Sequence, residues 1–137
     1  MFILDTNVIS ELRKGKANPS EAVVNWSKTQ PSGLLYLSVV TIFELERGVL
    51  LLERRTPSEG KNLRLWLENI KLKFENRVLP YTLETATLCA ALHVPNPRPE
   101  RDAMIAATAI EHKFAIVTRN VADFANTGVA LVNPWMI

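Results

Sequence analysis

Four acidic residues, far apart in the sequence, are the side chains best suited to chemistry: Asp5, Glu44, Asp102 and Asp123. Unpaired carboxylates held close together raise one another's pKa and cost folding free energy. A hard divalent cation removes that cost, because Mg²⁺ and Mn²⁺ prefer carboxylate oxygens as ligands. Such a cation can also activate water for hydrolysis. If the fold brings the four acids together, we expect a site for Mg²⁺ or Mn²⁺.

Each acid also has an ordinary interpretation, which the sequence leaves open. Asp5 and Asp102 could cap helices, where a carboxylate contributes about 0.3–1 kcal/mol. Asp123 could be a loop acid. Glu44 is harder to explain in this way, because it interrupts a strongly apolar helical segment and Gly48 follows one turn later, leaving space beside it.

Four polar residues adjoin the acids in sequence: Thr6, Asn7, Thr118 and Asn120. Thr6 and Asn7 follow Asp5 at the expected start of a helix, where backbone N–H groups and polar side chains can anchor a phosphate or orient the acid. Thr118 and Asn120 follow a strand and can donate hydrogen bonds to a carboxylate. Each is equally acceptable as a turn residue.

The elements that position these residues follow from the hydrophobic pattern. Strands are expected at residues 2–4, 34–40, 78–79, 115–118 and 130–132. Helices are expected after Asp5, from Ser20, from Thr41, over 63–74 after a break at 57–60, over 82–93, and from Asp102. Alternating strands and helices predict an α/β fold, a three-layer α/β/α domain with a central, mostly parallel sheet. We expect residues 1–137 to form a single domain.

Parallel topology predicts that the acids converge. In a right-handed βαβ unit, the carboxyl ends of strands and the amino ends of helices share one edge of the sheet. Asp5 ends the first strand, and Glu44 is expected in the first turn of the helix after the second strand. Asp102 is expected to open the helix that leads to the fourth strand, and Asp123 follows that strand.

Composition sets limits on the class of protein. A hydrophobic content of 47% in 137 residues argues against disorder, and no apolar run reaches the length of a membrane span. No signal peptide opens the sequence, so a cytoplasmic location without membrane contact is expected. The net charge of +2 does not repel a polyanion. Cys89 fits a buried helix, and His93 and His112 form no zinc-ligand spacing with it.

Four blocks occur in an order that resembles the PIN-domain ribonucleases: residues 2–7, 43–48, 102–109, and 117–120 with Asp123 and Phe124. Within that family the sequence is similar to the VapC-type toxins of toxin–antitoxin pairs, including the FitB-like branch. The closing segment 133–135 is similar to the end of such chains.

The resemblance implies a Mg²⁺- or Mn²⁺-dependent endoribonuclease that hydrolyses RNA with a metal-activated water. Asp5, Glu44, Asp102 and Asp123 would be its catalytic and metal-binding quartet. Asn120 stands where some relatives carry another acid. The family also implies a homodimer and a small VapB/FitA-like antitoxin, which binds across the cleft and binds operator DNA.

Basic residues near the expected cleft are candidates for contacts with RNA. Arg98, Arg101 and Arg119 adjoin the acids in sequence, and Arg13, Lys14 and Lys16 follow the first helix. Each is also an ordinary surface charge. Helices over 41–74 have apolar stripes that suit either an antitoxin-binding arm or core packing.

Other classes of protein gather acids as well. A receiver-like or phosphatase-like domain would normally place adjacent acids, or Asp-x-Asp, at the end of the first strand. Here Asp5 is followed by Thr6 and Asn7. A non-catalytic PIN module that forms a DNA-binding complex with an antitoxin-like partner stays open, and an RNA cleavage assay separates it from the nuclease.

Overall fold

The computed structural model describes residues 1–137. Its strands are β1 Phe2–Leu4, β2 Leu35–Ser38, β3 Val78–Leu79, β4 Ala115–Val117 and β5 Leu131–Val132. Its helices are α1 Thr6–Glu11, α2 Glu21–Thr29, α3 Val39–Arg55, α4 Pro57–Lys73, α5 Leu83–Leu92 and α6 Glu100–His112. Short 3₁₀ helices occur at Ser32–Leu34, Val121–Phe124 and Pro134–Met136.

The five strands form one parallel sheet in the order β3-β2-β1-β4-β5. β1 is central, with Phe2 paired to Leu35 of β2 and to Ala115 of β4. Adjacent strand residues point to opposite faces, so Leu4 joins the core beneath α1–α4 and Ile3 joins the core beneath α6. The predicted three-layer α/β/α architecture is confirmed.

Helix α3 begins two residues earlier than expected. The segment Val39–Val40 is β-branched and was expected to continue the strand, but the Ser38 hydroxyl accepts a hydrogen bond from the Val40 N–H at 3.0 Å and caps the helix. Glu44 therefore lies in the second turn of α3, and its expected place in the first turn is wrong.

Two prolines mark helix starts. Pro57 is the first residue of α4, so the break between α3 and α4 falls at Thr56 and not across residues 57–60. Proline suits this position because its missing N–H would have no partner in the first turn. Likewise α6 begins at Glu100, directly after Pro99, so Asp102 is its third residue and not, as expected, its first.

Helices α3 and α4 form a tightly packed hairpin. Arg64 of α4 lies 3.0 Å from Glu53 of α3, and Lys71 lies 3.0 Å from Glu46. Gly60 lies against the α3 backbone, where a Cβ atom would come within 2.5 Å of the Glu53 Cα. No helix of the chain combines the length and the apolar composition needed to cross a bilayer.

Candidate active site

Asp5 lies between β1 and α1, and its carboxylate is held on both oxygens. Oδ1 accepts a hydrogen bond from the Thr6 N–H at 2.8 Å, which caps α1. Oδ2 accepts from the Thr118 hydroxyl at 2.8 Å and from Asn7 Nδ2 at 3.3 Å. Burial raises the pKa of Asp5, the hydrogen bonds from Thr118 and Thr6 oppose that rise, and the charges of Glu44 and Asp123 add to it.

Glu44 reaches the same edge of the sheet from α3. Its Oε1 accepts a hydrogen bond from the Thr6 hydroxyl at 2.8 Å, and its Oε2 lies 3.3 Å from Arg101 Nε of α6. The Thr6 hydroxyl also lies 3.4 Å from the hydroxyl of Thr41, which is fully buried. Sequence reasoning missed Thr41, because a threonine in a helical segment gives no signal of a polar contact with another element.

Asp102 lies in the first turn of α6, and no hydrogen bond to its carboxylate is present. Burial, followed by repulsion from Asp5, Asp123 and Glu44, raises its pKa to about 6, and Arg101 opposes the rise. Asp123 is exposed in the 3₁₀ helix Val121–Phe124 and lies within electrostatic range of both aspartates. The fold thus places the other three predicted acids within electrostatic range of Asp102.

The polar residues predicted to support the acids form a small network. Thr118 is fully buried, and its hydroxyl accepts hydrogen bonds from Asn7 Nδ2 at 3.3 Å and from the Asn120 N–H at 3.0 Å. The Asn7 Oδ1 accepts from the Arg119 N–H at 3.3 Å. The network joins the end of β1 to the end of β4 and fixes Asp5 between them.

The donor set fits a hard divalent cation in chemistry, although the side chains are not arranged around one. As they stand, no three His, Cys, Asp or Glu residues have the arrangement of a metal site. Burial is the main cause of the raised pKa values of Asp5 and Asp102, and repulsion from the neighbouring carboxylates adds to both. Because Arg101 pairs with Glu44, a cation that takes both Glu44 oxygens must displace the guanidinium.

An open depression of about 500 Å³ adjoins Glu44 and Asp102. Its other lining residues are Pro99, Glu100 and Arg101, so no large apolar side chain lines it. A depression with carboxylates and one arginine suits a charged, hydrated ligand and not an apolar one.

The three arginines predicted to contact substrate have different surroundings. Arg98 donates to the carbonyl oxygens of Leu92 and Ala125 at 3.1 and 2.7 Å, which ties the end of α5 to a loop. Arg101 pairs with Glu44, and the Arg119 guanidinium lies over the Trp135 ring, 5.3 Å from its centroid. Substrate contact by these arginines stays a prediction.

His93 and Cys89 lie away from the acids. His93 Nδ1 accepts a hydrogen bond from the Arg98 N–H at 3.1 Å, and Cys89 is buried in α5. His112 packs against Phe114, with ring centroids 5.6 Å apart. All three residues have the packing roles that their sequence context predicts.

Comparison with known proteins identifies the family. Residues 2–129 match the family described as the PIN domain. The chain is 37% identical to the VapC ribonuclease Y4jK of Sinorhizobium fredii, with 98% of each chain covered. It is 34% identical to the toxin FitB of Neisseria gonorrhoeae, over 98% of this chain and 99% of FitB.

Solved structures agree with these relatives. The crystal structure of FitAcB from Neisseria gonorrhoeae superposes with a TM-score of 0.88 at 36% identity, and all of both chains is covered. The structure of FitAB bound to an IR36 DNA fragment gives a TM-score of 0.89 at 34% identity, over 100% of this chain and 97% of that one. The resemblance found in the sequence is confirmed: the chain belongs to the PIN-domain family, in the branch of the VapC and FitB toxins.

Proposed function

We propose that this chain is a metal-dependent endoribonuclease and the toxin of a type II toxin–antitoxin pair. The observation that carries the proposal is the gathering of four carboxylates at one sheet edge, where burial and mutual repulsion raise the pKa of Asp102 to about 6. Placing carboxylates close together costs folding free energy, and groups with perturbed pKa values cluster at functional sites. The arrangement therefore suggests a binding site for a cation. The names of the relatives, a VapC ribonuclease and a toxin, support the same activity.

Asp5, Glu44, Asp102 and Asp123 would hold Mg²⁺ or Mn²⁺. When bound, such a cation would neutralise negative charge at the scissile phosphate and acidify a water enough to supply hydroxide near neutral pH. The chain itself supplies orientation. The Thr118 hydroxyl and the Thr6 N–H fix the Asp5 carboxylate, and the Thr6 hydroxyl turns Glu44 towards it.

Arg101 has two possible partners in this proposal. Without a cation it neutralises Glu44 at 3.3 Å. If a cation held that carboxylate, the guanidinium would be available to an RNA phosphate, which it could bind with two parallel hydrogen bonds. Arg101 would then link cation binding to substrate binding at the same edge.

We also propose a homodimer and an antitoxin of the VapB/FitA type, with the pair binding operator DNA in the cytoplasm. Of the two solved structures compared above, one is FitAB bound to a DNA fragment and the other is FitAcB, and FitB is named a toxin. Exposed apolar side chains support contacts with partners. On the α3–α4 hairpin, Leu50, Leu51, Leu65 and Leu72 are each more than half exposed, and on α5 Leu83 is 86% exposed.

The test is cleavage of structured RNA by the purified chain with Mg²⁺, with Mn²⁺ or with EDTA. Cleavage that needs the cation and disappears in Asp102→Asn supports the nuclease. Absence of cleavage under all three conditions, together with tight operator binding by the co-expressed pair, would instead favour a non-catalytic module. Co-expression with the neighbouring upstream reading frame, followed by pull-down, tests the antitoxin.

A further inference from the structure

A groove extends from the acids across the α1–α4 side of the molecule. Its first part has a volume of about 420 Å³ and begins at Thr6 and Glu44. Its second part, of about 520 Å³, lies between the α1–α2 loop and α4. The two parts share Arg13, Lys16 and Trp66 in their walls, so they adjoin at these side chains.

Positive charge dominates this groove. Six lining cations have no acidic partner: Arg13, Lys14, Lys28, Arg55, Lys73 and Arg77. Of these, Arg77 donates to backbone carbonyl oxygens and is the least free to bind a ligand. The only acids in its walls are Glu44, at the catalytic end, and Glu11, which is paired with Lys16 at 3.3 Å. A groove with this balance of charge complements a polyanion.

The wall shared by both parts contains an aromatic ring. Trp66 is half-buried, packs against the main core and lies in both parts of the groove. Gly48 lines the first part and leaves the space beside it open, since a Cβ atom there would meet nothing within 4 Å. Proteins that bind single-stranded nucleic acids combine a positively charged groove, which follows the phosphate backbone, with aromatic side chains on which unpaired bases stack.

We propose that a single-stranded segment of the RNA substrate, flanking the scissile phosphate, lies in this groove. Its phosphates contact Arg13 and Arg55, and an unpaired base stacks on Trp66. The proposal rests on the nuclease function proposed above and specifies which part of the substrate must be unpaired. A base-paired duplex cannot offer a base face to Trp66, so duplex RNA is bound without help from that residue.

The experiment measures RNA binding in EDTA, so that binding is separated from hydrolysis. The probe is a fluorescein-labelled single-stranded RNA of mixed sequence. Its length of about 12 nucleotides lies within the range of site sizes known for proteins that bind single strands. Fluorescence anisotropy gives its affinity for the full chain at about 50 mM salt, where phosphate contacts are weakly screened. Thermal melting shows that each variant is folded.

Arg54 and Arg55 provide a matched pair. Both are exposed in the last turn of α3, but only Arg55 lines the groove. We expect Arg55→Glu to weaken binding at least about eightfold, the loss for one phosphate contact at this salt. Arg54→Glu, which changes the net charge equally, is expected to weaken it less than about threefold. Equal losses in both variants would overturn the proposal.

Trp66 gives a second, spectroscopic measurement. We expect the RNA to quench tryptophan fluorescence in the parent chain and Trp66→Leu to lose most of that quenching and roughly tenfold in affinity. Trp66→Phe, which keeps a ring, should retain most of the affinity. If quenching persists in both variants, or if only an acidic amphipathic peptide binds with this dependence on Arg55, the groove is not an RNA site.

The outcomes separate this proposal from the proposed function. If RNA binds in the groove but is not cleaved with Mg²⁺ or Mn²⁺, the groove is an RNA site and the proposed nuclease activity is wrong. If RNA is cleaved but its affinity is unchanged in Arg55→Glu and Trp66→Leu, the nuclease activity is supported and the groove is not the RNA site.

Discussion

Asp102→Asn offers the cleanest separation of function from stability. The Asp102 carboxylate forms no hydrogen bond, so the amide, which has the same shape, removes a negative charge and breaks no contact. Asp5→Asn is expected to abolish cleavage as well, but it disturbs the bonds from Thr6 and Thr118. A stability change in the Asp5 variant would therefore mix two causes.

The magnitude follows from the pKa of Asp102, which rises from 3.8 to about 6 in the folded chain. Each tenfold change in ionisation is worth about 1.4 kcal/mol, which would give roughly 3 kcal/mol for a fully buried group. Asp102 is partly solvated, so screening reduces this to about 1 kcal/mol. Loss of the favourable helix-dipole contact in the first turn offsets part of this gain. At pH 7.5 without metal, we expect Asp102→Asn to be more stable than the parent by up to about that amount, or up to about 3–5 °C in Tm.

The sign of the pH dependence follows from the direction of the shift. A raised folded pKa means that the ionised carboxylate destabilises the native state, and this penalty is complete above about pH 6. As the pH falls through 6 towards 3.8, protonation relieves it. The metal-free parent is therefore less stable than Asp102→Asn at pH 7.5, and we expect this difference in stability to disappear as the pH is lowered to 4.

The assay is thermal unfolding in EDTA at several pH values, followed by RNA cleavage with Mg²⁺ or Mn²⁺. Glu84→Gln is the control, because Glu84 is an exposed acid in the first turn of another helix. Its removal should cost about 0.3–1 kcal/mol through the helix dipole, the opposite sign. A lower Tm for Asp102→Asn at pH 7.5, or full cleavage activity, would refute this reasoning.

Further predictions concern the surroundings of the acids and the α3–α4 hairpin. Arg101→Gln removes the guanidinium that competes for the α3 carboxylate, so the cation concentration for half-maximal cleavage should fall while the KM for RNA rises; a rise in both would contradict this. Thr118→Val removes a buried hydrogen bond to Asp5 and should lower stability by about 1–2 kcal/mol in denaturant titration, with unchanged stability as the contrary result. Gly60→Ala should cost about 1–3 kcal/mol because its Cβ would collide with the α3 backbone, whereas Gly48→Ala, in open space, should gain up to about 1 kcal/mol; equal effects in thermal unfolding would contradict the hairpin geometry.

Local signals predicted most of the architecture. Strand lengths and helix starts follow from capping residues and apolar periodicity, and parallel topology then brings the four acids to one edge without any further information. The errors occurred where two local preferences compete. Val39 and Val40 favour a strand by their branching, yet the Ser38 cap places them in α3. Pro57 looks like a break but is the first residue of a helix.

Side-chain partners could not be predicted, because they depend on residues that are distant in sequence. Nothing local indicates that Arg98 donates to two carbonyl oxygens or that Arg101 neutralises Glu44. Similarly, Glu46 pairs with Lys71 of the next helix and not with its sequence neighbour Arg47. Such pairings determine which basic side chains are free to contact a substrate. That availability therefore depends on the tertiary structure and cannot be predicted from the local sequence.

The most direct test of the central claim is a crystal structure of the chain grown with Mn²⁺, with anomalous differences measured for the metal. We predict a Mn²⁺ peak among Asp5, Glu44, Asp102 and Asp123, with the Arg101 guanidinium displaced from Glu44. No anomalous peak at that edge, with Arg101 still paired to Glu44 at a saturating Mn²⁺ concentration, would contradict the account.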